Sequence, residues 1–439
     1  MYKQTAEAMV AFIKNSPTAF HAVDSMKKIL NEEGYQELFE GKRWEINLGG
    51  KYYVTRNDSS LIALKVGTNL ENYSFNIAAS HSDSPTFKIK ENEELGVRGK
   101  YTQLNTEGYG GMLCAPWFDR PLSVAGRVVV KEGDRFLTRL VKVDRDLVMI
   151  PNVAIHMNRK INEGFEYNKQ VDMLPLFGGN ESKKGDFRKL IAGELNIEEK
   201  DIYGMDLYLY NRMEPSIWGA NEEFISCPQL DDLQCAYTSL QGFLKGANEK
   251  SINVFACFDN EEVGSGTKQG AGSTFLYDVL HRISRGLGKD EEAFYSALAS
   301  SFMLSCDNAH AVHPNHPEKT DAENCVFMNE GIVVKSHAGQ KYTSDAVSNA
   351  VFKGICEKAG VPVQFFANRS DAAGGSTLGN IAMAQVSMNS VDIGLPQLSM
   401  HSPYETAGIK DSYYMIQATE EFFNSHIEAQ GNGALIVVK

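Results

Sequence analysis

Apolar and polar positions follow two different periods along this chain. From Ala6 to Ile13 and from Thr18 to Leu30 the apolar residues recur at helical spacing, with Ser16-Pro17 as the break between them and Gly34 as the stop. Between about 51 and 90 the pattern shortens to extended runs such as Leu61-Ile62-Ala63-Leu64 and Phe75-Asn76-Ile77-Ala78-Ala79. The second run leads straight into His81-Ser82-Asp83-Ser84-Pro85, which places His81 and Asp83 at a strand end. From about 97 to 212 the texture changes to many short β-like runs among charged turns, including Leu122 to Val130, Phe136 to Val143 and Met205 to Leu209. A polar, Gly-rich stretch, Gly178 to Asp186, interrupts them.

From Phe224 onward, helical patterns (Leu233 to Gly242, Phe275 to Leu287) alternate with apolar strands (Ile252 to Phe258, Ser301 to Cys306). Such alternation predicts an α/β fold with a mostly parallel central sheet flanked by helices. The expected domains are a discontinuous one, 1–90 with 213–439, and an inserted β-rich one, 91–212. At 439 residues the chain exceeds the usual size of one hydrophobic core, which agrees with two domains.

Composition narrows the class. A chain 43% hydrophobic and 23% charged is that of an ordinary globular protein, not a disordered or fibrous one. A net charge of -13, with no run of Lys and Arg, argues against nucleic acid as a partner. It also repels acidic ligands at long range, so an acidic substrate needs a dedicated cation in its pocket. The seven cysteines lack the paired spacing of a disulfide framework or zinc ribbon and read as reduced core residues. The N-terminus lacks a signal peptide's continuous apolar region, and no apolar run approaches about 18 residues, so a cytoplasmic protein without membrane attachment is expected.

Chemistry concentrates where apolar runs end. Ile252 to Phe258 closes on Asp259-Asn260-Glu261-Glu262-Val263-Gly264-Ser265, and alternation along an extended backbone would send Glu261 and Glu262 in different directions from one place. The carboxyl ends of strands are where open α/β sheets collect ligands, so one carboxylate can hold a metal while its neighbour moves a proton. His81, Asp231, Asp307 and His401 share the same placement at or just after apolar runs. This nitrogen and oxygen set suits two zinc ions, or a similar divalent pair, better than calcium. Each residue also has a plainer reading: a hydrogen-bonded structural histidine, a helix N-cap at Asp231-Asp232, a solvated helix start at Glu261-Glu262, a turn former at Asp307. Spacing does not decide between them.

The motifs Phe12-Ile13-Lys14-Asn15-Ser16-Pro17-Thr18, Ser80 to Pro85, Trp117-Phe118-Asp119-Arg120-Pro121-Leu122-Ser123, Leu230-Asp231-Asp232-Leu233, Phe258 to Ser265, Asp307-Asn308-Ala309-His310-Ala311-Val312-His313-Pro314-Asn315, Gly374-Gly375-Ser376-Thr377 and Ser399-Met400-His401-Ser402 occur in this order. Together they resemble the aspartyl aminopeptidase family of co-catalytic zinc exopeptidases, almost end to end. The resemblance implies Asp231 as the ligand shared by two divalent ions per subunit, His81 and Asp307 completing one, and Glu262 and His401 the other. Zinc is implied, and manganese or cobalt accept the same donors. It makes Glu261 the general base acting on a water shared by the metals, and Asp83 its supporting neighbour behind His81. The peptide after Asp231 is cis in relatives.

The substrate implied is a peptide with a free N-terminal Asp or Glu, read by Lys335, with His310 and Tyr342 as further contacts. The inserted domain is implied to build a dimer, and dimers a tetrahedral dodecamer, in which His156 reaches into the partner subunit's site. The chain departs from the family at Asp232, where many relatives have Asn, at Pro121, and at Lys341, which replaces an Arg before the Tyr. A related dinuclear aminopeptidase of broad or neutral specificity is the first alternative, and an inactive assembly or binding protein the second. A nucleotide-binding loop at Gly264-Ser265-Gly266-Thr267-Lys268-Gln269-Gly270 fits neither the dinucleotide fingerprint nor the P-loop spacing.

Overall fold

A computed structural model describes residues 1–431 and 433–438. Contacts divide them into two compact units: 1–83 with 216–400 and 405 onward, and 84–215 with 401–404.

The first unit is built on a nine-stranded sheet whose middle is formed by Ser251–Phe258, Ser74–His81, Phe302–Cys306 and Asn389–Gly394, all mutually parallel. Side chains of Ser251–Phe258 alternate between two cores, Phe255 and Cys257 on one face and Ile252, Val254, Ala256 and Phe258 on the other. A strand covered on both faces reads as a continuous apolar run, which is what this segment shows. Helices Tyr2–Lys14, Ala19–Glu32, Leu230–Lys245, Ala346–Ala359 and Asp411–Asn424 supply the first core with Met9, Met26, Leu233, Phe352 and Phe422. Phe275–Gly286, Glu291–Ala299 and Leu378–Met383 supply the second with Phe275, Phe294 and Leu378.

The sheet is mixed: five of its eight strand pairings are parallel, as expected of a mostly parallel sheet, and three are antiparallel. Lys51–Arg56 and Ser60–Val66 form an antiparallel pair, Ser60–Val66 is antiparallel to Ser251–Phe258, and Ile332–Ser336 is antiparallel to Asn389–Gly394. The first pair is a hairpin closed at Arg56↔Ser60, with Asn57 and Asp58 both at positive φ (61° and 54°). Asn and Asp tolerate that region better than other side chains, so the turn was encoded locally and forces antiparallel pairing. A smaller sheet orders Ser216–Trp218, Phe224–Cys227, Glu405–Gly408, Pro396–Leu398 and Ala309–His310.

The second unit is β-rich and antiparallel: a six-stranded sheet with Leu122–Glu132, Ile202–Asn211 and Thr86–Val97 at its centre. Helix Asp186–Leu195 packs Phe187 and Ile191 into a core with Phe87, Val124 and Leu207. Among the described residues the seven cysteines are free, five of them buried, and no helix is long and apolar enough to cross a membrane.

What the fold does for chemistry follows from register. Phe258 pairs with His81, Ser305 with Ala79, and Cys306 with Ile393, so four parallel strands end at one edge. The residues that follow those ends meet there.

Candidate metal centre

The turn after Phe258 is set by backbone conformation. Asn260 takes φ 63°, Gly264 94° and Ser265 56°, and between them Glu261–Val263 makes one 3-10 turn. Asn260 is fixed there because its Oδ1 accepts from Thr267 Oγ1 at 2.8 Å and Gln269 Nε2 at 2.7 Å. The two glutamates therefore leave a 3-10 turn and not a pleated strand, and they are not sent apart as the sequence pattern suggested: Ser251–Phe258 ends before them, and a carboxylate oxygen of each lies within 4.8 Å of the other. Asp83 braces the turn: its two carboxylate oxygens accept from the Glu261 and Glu262 N–H groups at 3.1 Å each.

His81 ends its strand with the imidazole almost wholly buried. Its Nδ1–H donates to the Asp83 carbonyl oxygen at 3.1 Å, and Asp83 Oδ1 is 3.4 Å from the same nitrogen. A tautomer fixed in this way leaves the Nε2 lone pair toward Asp231, whose Oδ1 is 3.6 Å away. Asp231 and Asp232 depart from helical φ/ψ within Leu230–Lys245, and the peptide between them is cis. They are not a plain N-cap. Asp231 N donates to Glu405 Oε2 at 2.9 Å, and Asp232 Oδ2 accepts from His81 N at 3.1 Å.

Asp307 is positioned from both sides. Its N–H donates to Ile393 O at 3.0 Å. A Cβ at Gly394 would collide with the Asp307 carbonyl oxygen, so only glycine lets the two chains approach. The next residue, Asn308, donates to Leu230 O and Gln397 Oε1, both at 2.9 Å, tying the Asp307 segment to the residue before Asp231.

Donor atoms of His81, Asp231, Asp232 and Asp307 lie within 4.8 Å of one another, and those of His81, Glu261 and Glu262 form a second such group. The first four residues are 1%, 3%, 0% and 8% exposed. So many carboxylates buried together repel one another unless protonated or matched by cations. Burial pushes Asp232 well up, with Asp307 and Asp231 adding to it against His81, and Asp307 is likewise raised by burial. Glu261 is pushed up to about 8 by burial and by Asp307, Asp83 and Asp231, against the lowering by His81. Burial would lower the His81 imidazole, but Asp232, Asp231, Asp83 and Glu261 outweigh it and raise its pKa well above the usual value. One imidazole nitrogen with several carboxylate oxygens fits a divalent cation of the zinc type.

Of the other residues read from sequence, Lys335 is only 2% exposed. Its Nζ donates to the Asp307 and Asn308 carbonyls at 2.8 and 3.3 Å, lies 3.7 Å from Asp307 Oδ1, and sits 5.3 Å over the buried Tyr342 ring. His310 is exposed on the edge strand Ala309–His310, its ring 6.5 Å from Phe366. His156 is exposed on a turn of the second unit. His401 opens the 401–404 segment of that unit, its Nδ1–H donating to Gly111 O at 2.6 Å.

Sequence reasoning missed Glu405 and Asp392 altogether and took Asp232 only as a departure. Asp392 is fully buried and accepts from Ser305 Oγ, Thr377 Oγ1 and Thr343 Oγ1 at 2.6, 2.7 and 2.9 Å. The available signal was its position in the apolar run Val391 to Leu395, where a carboxylate has to find donors.

A family model described as aminopeptidase I zinc metalloprotease (M18) matches residues 12–423. A probable M18 family aminopeptidase 2 of Clostridium novyi (strain NT) is 49% identical over 426 residues, covering 95% of this chain and 98% of its own. One of Pseudomonas aeruginosa (strain UCBPP-PA14) is 38% identical over 432 residues, covering 97% and 99%. Among solved structures, Ape4 in a cryo-EM complex with Nbr1 is similar with TM-score 0.94 and 36% identity over 96% of this chain and 86% of that one. The S. cerevisiae mApe1 dodecamer is similar with TM-score 0.83 and 25% identity over 96% and 97%.

Two outcomes test the site. A raised carboxyl contributes stability that is complete below its unfolded pKa, about 4, and is lost as pH rises through the folded value, about 8 for Glu261. Divalent cations offset that loss, so chelation should lower the melting temperature more at about pH 8 than at about pH 5.5, measured by calorimetry with and without chelator. Equal drops would remove carboxylate repulsion as the cause. Gly394→Ala should displace Asp307, costing about 1–3 kcal/mol by overpacking and reducing the metal retained after dialysis; unchanged retention would show that the close approach does not position the ligand.

Proposed function

The chain belongs to the M18 family of zinc metalloproteases, and from that premise we propose that it removes the N-terminal residue from peptides, preferring Asp or Glu, with Glu261 as general base. The family membership makes it a zinc aminopeptidase, a hydrolase. The observation that carries the finer reading is the buried cluster of His81, Asp231, Asp232 and Asp307 with Glu261 and Glu262 grouped around the same imidazole.

In this reading Asp231 would serve both of two divalent ions, with His81 and Asp307 completing the hold on one, and Glu262 and His401 on the other. When bound, the cations supply Lewis acidity to the scissile carbonyl and acidify the attacking water. Glu261 takes the proton from that water and delivers it to the leaving amine, a task suited to a carboxyl raised by its surroundings. Asp83 holds the backbone of Glu261 and Glu262 and the ring of His81, so one carboxylate keeps base and ligands in a fixed relation. Gly111, by accepting from His401 Nδ1, leaves Nε2 as the ligand atom. Lys335 reads the first side chain's carboxylate beside Tyr342, and His310 contacts the peptide.

The insert is proposed to mediate self-association, as a dimer that assembles into a tetrahedral dodecamer. Val153, Ile155 and Met157 are 50%, 47% and 78% exposed in one irregular stretch with a turn at 155–157, an apolar cost in an isolated subunit. His156 lies among them and is assigned to the partner subunit's site. The mApe1 relative is a dodecamer. A cytoplasmic location is proposed on the same grounds as the free thiols.

A broad or neutral preference is the second reading, favoured by the Lys335 ammonium being already engaged by the Asp307 and Asn308 carbonyls. Lys335→Met separates the two. Loss of one charged hydrogen bond, about 1.5–3 kcal/mol, should cut the ratio of kcat/KM for Asp- over Leu-linked substrates by roughly 10-fold or more, and an unchanged ratio would favour the neutral reading. The ratio is the readout because the substitution also touches the Asp307 segment. Glu261→Gln should retain metal by elemental analysis yet lower kcat by about 10²- to 10⁴-fold; full activity would take Glu261 out of the mechanism.

A further inference from the structure

A cavity of about 390 Å³ opens beside the edge strand Ala309–His310. Its polar lining includes His310, His313, His316, Lys319, Arg369 and Gln397, and no Asp or Glu lines it. That is a local inversion in a chain of net charge -13. Arg369 is matched by Asp371 at 2.9 and 2.7 Å, and His316 Nδ1 lies 3.2 Å from Glu318, but Lys319 makes no ion pair among the described residues. Gln397 is 1% exposed; its Oε1 accepts from Asn308, and its Nε2 has no hydrogen-bond partner among the described residues. A buried amide donor left in this state favours an acceptor that can reach it.

The cavity adjoins the metal centre along the chain: His310 lies three residues beyond Asp307, His310 pairs with Gln397, and Gln397 holds the Asn308 that follows Asp307. Its volume is at the small end for ligand sites, enough for a single residue and not for a large cofactor. The apolar side chains Phe366 and Leu398 also line it, as suits the aliphatic stem of an acidic residue.

We propose that this cavity is a second carboxylate subsite, which takes an acidic side chain or the terminal carboxylate of the peptide downstream of the bond that is cut. It rests on the aminopeptidase reading above and is distinct from the first-residue contact assigned to Lys335. The enzyme then measures two anionic groups on one peptide, one on each side of the scissile bond.

The test compares kcat/KM of the intact, metal-loaded protein on Asp-Ala-Ala-amide, Asp-Ala-Glu-amide, Asp-Ala with a free carboxylate, and aspartyl p-nitroanilide, which has no downstream residue. At least one of the two peptides with a downstream carboxylate should be favoured over the neutral amide by about tenfold, mainly through KM, as expected for a charge-assisted hydrogen bond. The double substitution Lys319→Ala, His316→Ala should abolish that preference while leaving p-nitroanilide turnover unchanged. Equal kcat/KM for neutral and acidic peptides in the unsubstituted protein would overturn the subsite, as would a preference that survives the double substitution. Cleavage of none of the four would instead sink the aminopeptidase reading, and this proposal with it.

Discussion

The constraint on which this structure turns is that several carboxylates share one buried place. Asp231, Asp232 and Asp307 are almost wholly inaccessible, and Glu261 joins them with its carboxyl pushed up to about 8. Burying one unpaired charge is costly, and burying several of the same sign is more so. Among the described residues, His81 and Lys335 oppose them from protein side chains. A fold that keeps such a cluster has to hold it rigidly enough that a divalent cation finds its ligands already in place.

Rigidity comes from where the acids are attached. Each follows the end of a parallel strand or the irregular start of a helix, and their backbones are tied by other segments: Asp231 N by the Glu405 carboxylate, Asp307 N by the Ile393 carbonyl beside the close approach at Gly394, Glu261 and Glu262 N by Asp83. Asn308 closes the loop between the Asp307 and Asp231 segments. Polar groups buried at this density specify one arrangement only when nearly all are satisfied, which explains why a buried carboxylate outside the cluster, that of Asp392, is itself surrounded by donors.

Much of this could be read in the sequence, for different reasons in different places. Strands covered on both faces announce themselves as apolar runs, so Ser74–His81 and Ser251–Phe258 were visible, and with them the locations of His81 and the two glutamates. The hairpin at Asn57-Asp58 carried its turn signal too, yet its effect on sheet direction depends on pairing across the sheet, which periodicity does not report. The burial of Lys335 was hidden because a lysine after Val333 and Val334 looks the same whether its ammonium reaches water or the Asp307 carbonyl. Glu405, lying in a short strand of the smaller sheet, gave no pattern at all; it is a partner of Asp231 only in three dimensions.

In the proposed reading, recognition of an acidic first residue has to overcome the protein's own field. At a net charge of -13 the surface repels an anionic peptide, but physiological salt screens beyond about 8 Å, so cations fixed within that range decide what enters. Lys335 is such a cation, and Asp307 and Asp392 are what keep it charged while burial opposes it. The same ammonium donates to the Asp307 carbonyl, so the residue assigned to selectivity also steadies a residue assigned to metal. Selectivity and metal holding are thereby coupled through one side chain.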